Sequence, residues 1–220
     1  MDAGPWPESE PSSHARKTLT CYYYPRVMIK EYDIGGSGAV GLSMLSVSGE
    51  PPACKPSRQS GERVIDVSEW EGYLEGVKDA LVFFGPPDDF NGHSPFAVFH
   101  SVSGKKLFED SAYGGTVPSS SYRASRLQIL SMPDAYVLRY LRVADADCNL
   151  HSEGAACWKK IEAELGLQSD MPACTGYDHI AELVGTDDVE SVIAYPVEVT
   201  LSPRPTTRVL AGPARCWAAQ

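Results

Sequence analysis

Residues Tyr136 to Leu167, YVLRYLRVADADCNLHSEGAACWKKIEAELGL, decide how the chain is read. The first third is extended in pattern. Val137, Leu141 and Val143 fall on one face and Tyr136, Leu138 and Tyr140 on the other, with Arg139 and Arg142 projecting among them. The last third has helical spacing. Trp158, Ile161 and Leu165 make one apolar stripe, Lys159, Lys160, Glu162 and Glu164 lie elsewhere, and Gly166 is a stop. Between them runs an acidic loop, ADADCNLHSE, with Ser152 placed to cap the helix, and Cys148 and Cys157 flank the join. A strand therefore passes through an acidic corner into a helix that packs its stripe on a sheet.

Strand signals dominate in both directions from this stretch. Upstream, TLTCYYYPRVMIKEY (Thr18–Tyr32) is rich in β-branched and aromatic residues and reads as a strand pair or one bent strand around Pro25. ALVFF (Ala80–Phe84) is a continuous apolar run, expected of a central strand. PFAVFHSV (Pro95–Val102) and KKLFED (Lys105–Asp110) flank Ser103-Gly104 as a hairpin. Tyr122–Ser131 and Ala135–Val143 read as two long strands. Downstream, a second helix over Tyr177–Val184 stops at Gly185, and SVIAYPVEVTL (Ser191–Leu201) is a long strand placed at an edge or bulge by Pro196. The expected fold is mainly β: an antiparallel sandwich or irregular barrel of about ten strands with a two-helix insertion near 153–185. Residues 1–17 read as a disordered N-terminal arm, and 18–220 as a single β-rich domain.

Composition limits the function classes. The chain has 220 residues and a formal net charge of −10, and its few Lys and Arg are scattered, which disfavours phosphate backbones and excludes a general nucleic-acid binder. No apolar run approaches the length of a transmembrane helix. The six cysteines Cys21, Cys54, Cys148, Cys157, Cys174 and Cys216 include no C-x-x-C pair, which speaks for disulfides over zinc. Cys54 closes most simply on Cys21, Cys148 and Cys174 are both open as partners of Cys157, and Cys174 is one candidate for Cys216; the spacing leaves all 15 connectivities of six cysteines open. Three disulfides require an oxidising compartment. A secreted or periplasmic protein whose signal peptide has been removed is therefore expected, since residues 1–16 lack an apolar signal core.

Motifs carry less. Gly36, Gly38 and Gly41 make G-x-G-x-x-G, but the apolar run behind them ends at Val47, too short for a crossover helix, so a glycine turn between strands is the better account. Ser103 and Lys106 make S-x-x-K on a hairpin tip, not on the helix that this chemistry uses. In the acidic loop, Asp145, Asp147, Asn149 and Glu153 offer oxygens at alternate spacing, the pattern by which a loop gathers Ca²⁺. Turn and helix-cap chemistry explains the same residues without a cation. A second polar turn, Asp88, Asp89, Asn91 and His93, follows the apolar ALVFF strand. The functional expectation is an exported, disulfide-stabilised binding or interaction protein whose ligand is a protein, a glycan or a small molecule. The alternative is an extracytoplasmic hydrolase working at Asp88–His93 or at Asp145–Glu153, with Ca²⁺ or with no cofactor.

Overall fold

The computed structural model describes residues 18–33, 39, 41–87, 90–114, 127–133, 135–186 and 188–219. The expected N-terminal arm, the Gly36–Gly38 turn, Asp88, Asp89 and the N-terminal part of the strand expected over Tyr122–Ser131 lie outside them. The protein is mainly β, 49% strand and 13% helix, and the described residues form two sheets and three helices. No helix among the described residues is long and apolar enough to cross a membrane. The chain divides into two compact units, Met1–Asp88 with Phe96–Glu109, and Asp89–Pro95 with Asp110–Gln220.

In the first unit, β1 (Thr18–Tyr23) and β2 (Val27–Asp33) form a hairpin in register from Thr18↔Asp33 to Tyr23↔Met28. Pro25 lies in the connecting turn, outside the ladder, where its missing N–H costs nothing. β3 (Gly41–Ser46) and β4 (Arg63–Ile65) complete a four-stranded antiparallel sheet. There follow β5 (Tyr73–Lys78), β6 (Leu81–Gly85), β7 (His93–His100) and β8 (Lys106–Tyr113), the last two turning through Ser101–Lys105; the start of β7, up to Pro95, and the end of β8, from Asp110, belong to the second unit. Val27, Ile29, Leu42 and Met44 of the first sheet pack with Val82, Phe84, Ala97 and Phe99 in one core. Phe84 and Phe99 meet edge to face at 5.5 Å, the favoured geometry for two ring quadrupoles. Residues Leu81 to Phe84 are wholly buried, as a run without polar alternation requires.

Lys30 is also buried, at 1% exposure. Its ammonium donates to the carbonyls of Lys55 (2.9 Å) and Ser57 (3.1 Å) and to Glu62 Oε2 (2.7 Å), matching its three hydrogens. Glu62 also accepts from the Ser43 hydroxyl at 2.5 Å and from the Gln59 N–H at 2.8 Å. The long loop between β3 and β4 is thus tied down by a buried ion pair, and a disulfide between Cys21 and Cys54 fixes its middle to β1.

In the second unit, β9 (Gln128–Ser131) pairs with β10 (Tyr136–Ala146). The acidic corner leads into α1 (Leu150–Glu153) and α2 (Ala155–Leu165), separated by Gly154 at φ +56°. β11 (Cys174–Thr175), α3 (Tyr177–Val184), β12 (Ser191–Leu201), β13 (Thr206–Val209) and β14 (Arg215–Ala218) follow. β10 and β12 pair from Tyr136↔Leu201 to Ala146↔Ser191, and β14 runs along the other side of β12. β12 is therefore central, not at an edge. It tolerates Pro196 because β14 covers only Ser191–Ala194 and β13 only Val197–Thr200, so the proline falls in the gap between them. Disulfides join Cys148 to Cys157 and Cys174 to Cys216. The first ties the acidic corner to α2, whose Cys157, Trp158 and Ile161 are buried.

Two predictions follow from the first unit. Lys30→Met leaves Glu62 buried without its counter-charge and destabilises by about 3–5 kcal/mol in urea titration, and Lys30→Met with Glu62→Met recovers part of that loss. The second concerns Glu31, which burial holds above the usual carboxyl range against hydrogen bonds from the Leu74 N–H and the Tyr22 hydroxyl. A carboxyl raised on folding costs stability wherever it is ionised, and that cost is relieved as pH falls through its folded value. Glu31→Gln is accordingly more stable than the parent at neutral pH, and its advantage shrinks on acidification. An advantage that grows in acid reverses the argument.

Candidate functional site

The site is built on one face of the second unit. Residues paired across antiparallel strands share a face. Asp145, Val192 and Trp217 form one row over β10, β12 and β14, and Val143, Ala194 and Arg215 form the next. β8 joins this face through Arg142↔Ala112, which brings Ser111 and Tyr113 to the same side as Val143. The middle of the face is small and apolar. Across it Tyr113 and Trp217, from the two flanking strands, meet with ring centroids 5.0 Å apart. The Arg215 guanidinium lies 5.3 Å above the Tyr113 ring, a cation–π contact.

A tight turn docks on this face. Phe90 and His93 exchange backbone hydrogen bonds at 3.2 and 2.7 Å around Asn91-Gly92. Both central residues have positive φ, +52° and +74°, the mirror-image two-residue turn for which Asn-Gly is the preferred sequence. The Trp217 indole N–H donates to the Asn91 carbonyl at 3.0 Å. Gly92 lies against the same ring, where an added Cβ would come within 2.7 Å of an indole carbon.

The turn delivers His93 between two polar side chains. Nε2 is 3.0 Å from Asp145 Oδ1, and Nδ1 is 3.1 Å from Ser111 Oγ. A carboxylate only accepts, so the neutral imidazole carries its proton on Nε2. Its Nδ1 lone pair then faces the Ser111 hydroxyl, which donates. His93 is 20% exposed at the side chain and Asp145 60%, so one end of the chain Ser111–His93–Asp145 is open to solvent.

The two stretches singled out in the sequence thus meet here, among the described residues by one side chain each, His93 and Asp145. The other acidic-loop residues have separate local partners. Asn149 caps α1 by accepting from the Ser152 N–H, and Glu153 reaches back to the Asn149 N–H, whereas α2, the helix that Ser152 was expected to cap, starts at Gly154 with no side-chain cap. Asp147 lies 3.9 Å from the Lys160 ammonium. Among the described residues no group of three or more His, Cys, Asp or Glu is placed to hold a metal ion. An open cleft of about 610 Å³ elsewhere in this unit is bordered by Glu162, Asp170, Met171, Pro172 and Pro213, and none of the sequence-selected residues reaches it.

Sequence reading missed Ser111, Tyr113, Arg215 and Trp217. The alternation of Ser111 with Tyr113 and the Asn91-Gly92 pair were the available signals. On β8 itself Asp110 binds the Tyr140 hydroxyl and the Arg142 guanidinium (Nε at 2.7 Å). Burial, reinforced by the Asp110 charge, pushes the Tyr140 phenol well above its usual range, so it remains a donor. This node pins β8 to β10 directly beside Ser111.

Fold and site together define a disulfide-stabilised, mainly β protein with a polar relay on a strand face. No protein-family model matches the chain, and no curated protein or solved structure is significantly similar to it. Gly92→Ala, which meets the indole and forces a left-handed residue, destabilises by about 1–3 kcal/mol and shifts the His93 imidazole resonances. Trp217→Phe, which removes one donor, costs less, about 0.5–1.5 kcal/mol. Equal urea midpoints for both variants and the parent would show that the turn is not docked through the indole.

Proposed function

We propose that this is an exported, disulfide-stabilised binding protein that takes a glycan on the face around Tyr113, His93 and Asp145. The observation that carries export is the pairing of all six cysteines in three disulfides, since such bonds persist in oxidising compartments and are rare where thiols are kept reduced. Ligand chemistry is argued from the face. An exposed carboxylate acceptor at Asp145, an exposed guanidinium donor at Arg215 and the half-buried ring of Tyr113 offer the polar and apolar contacts that a hydroxyl-rich ligand needs. The strands beneath are held by β10–β12 pairing and by the Asp110 node, so the groups are presented on a rigid base.

The test has two readouts. Alkylation of the denatured, non-reduced protein leaves all six cysteines unmodified; six free thiols would remove the export reading. Glycan-array binding followed by titration of indole fluorescence shows a saturable ligand, with affinity lost at least tenfold in Tyr113→Ala and Asp145→Ala. An array without binding, or affinity unchanged in both variants, removes the glycan reading of this face.

A further inference from the structure

The geometry points to Ser111 as a nucleophile activated by His93, giving the chain an acyl-transfer activity toward small, solvent-accessible carboxylic esters. The inference rests on the hydrogen-bond chain alone and not on the glycan reading. Three features carry it. In the neutral imidazole Asp145 accepts from the Nε2–H, which leaves the Nδ1 lone pair 3.1 Å from Ser111 Oγ, within the reach general-base catalysis needs. Both partners are held in place, His93 by a turn locked on Trp217 and Ser111 by a strand tied to β10 through Arg142 and Asp110. The relay is also half-exposed, open enough for a small substrate. Relative to the familiar serine hydrolase arrangement the two ring nitrogens exchange partners; the direction of proton flow is the same.

The step balances without a further reagent. Ser111 Oγ bonds to the ester carbonyl carbon as its hydrogen moves to His93 Nδ1. The tetrahedral adduct then expels the alcohol oxygen, which takes that hydrogen. Water attacks the acyl-serine, gives one proton to Nδ1 and forms the carboxylic acid as the proton returns to Ser111 Oγ. Asp145 acts as a positioning residue that holds the imidazole and stabilises it while protonated.

A plain turn latch would need hydrogen bonding at position 93 but no base, and this separates the two roles. His93→Gln can donate to Asp145 and accept from Ser111, so it keeps the parental melting temperature but has no base. The whole, non-reduced chain is incubated with a fluorophosphonate probe, which forms an Oγ–P bond with loss of fluoride. The expected result is one label per chain, mapped to Ser111, formed about 100-fold or more faster than in His93→Gln and absent in Ser111→Ala. A parent protein that stays unlabelled or is labelled elsewhere, or His93→Gln labelled at the parental rate, overturns the inference. Should His93→Gln not fold, the peptide map of the parent decides alone. Ser111 labelling in a protein that binds no glycan supports this activity while removing the binding reading, so the two can fail separately.

Discussion

Lys30 and Glu62 are two opposite charges taken out of water in the first unit, and the surrounding chain is arranged to satisfy them. Removing an ammonium and a carboxylate from water is expensive, and their attraction offsets it only when every remaining hydrogen and lone pair is used. That condition fixes geometry far from either residue. It requires the carbonyls of Lys55 and Ser57, the hydroxyl of Ser43 and the N–H of Gln59 to converge. A loop with little regular structure of its own thereby becomes part of the interior. An apolar pair could fill the same volume, but it would not specify which part of the loop lies on β2. The Cys21–Cys54 disulfide restricts the same loop from its other side, so covalent and electrostatic constraints agree on one path.

The second unit meets a similar problem with different chemistry. A two-residue turn has little area to bury, and it is held on the sheet by specific contacts: an indole donor, a glycine fitted to the indole face, and an imidazole bonded at both nitrogens. The indole is in turn positioned by Tyr113, across residues small enough to let two long rings meet. Placement of His93 is therefore a consequence of packing on β14, more than a hundred positions away in sequence.

What could be read from sequence was what is local. The hairpin at Ser103-Gly104, α3 over Tyr177–Val184 and the apolar β6 carry their signals within a few residues, and each forms as its pattern dictates. The disulfides also follow proximity, with Cys148 reaching Cys157 within one strand-to-helix join. β5 was not legible because Glu75, Gly76 and a register shift beside them interrupt the alternation. The position of β12 was misread because a proline normally marks an edge, and only the pairing of two different strands beside it creates a gap. The candidate site was half legible. His93 and Asp145 stood out as members of polar turns, but their junction spans 52 positions, and Ser111 sits in a strand where only its alternation with Tyr113 marks it.

In the acidic corner the backbone sends side chains of similar chemistry to different places. Four oxygen-bearing side chains at close spacing look like a ligand set, yet their backbone environments send them to different tasks. Asn149 and Glu153 lie at a helix start, where unpaired N–H groups compete for their oxygens. Asp147 extends toward Lys160 on α2. Asp145 is still on β10, so the alternation of that strand, not the loop, sets its direction and turns it onto the face with Val192 and Trp217. The division falls at the last residues of the strand. Asp145, before it, is held on the sheet face, and Asn149 and Glu153, after it, are drawn into building the helix start.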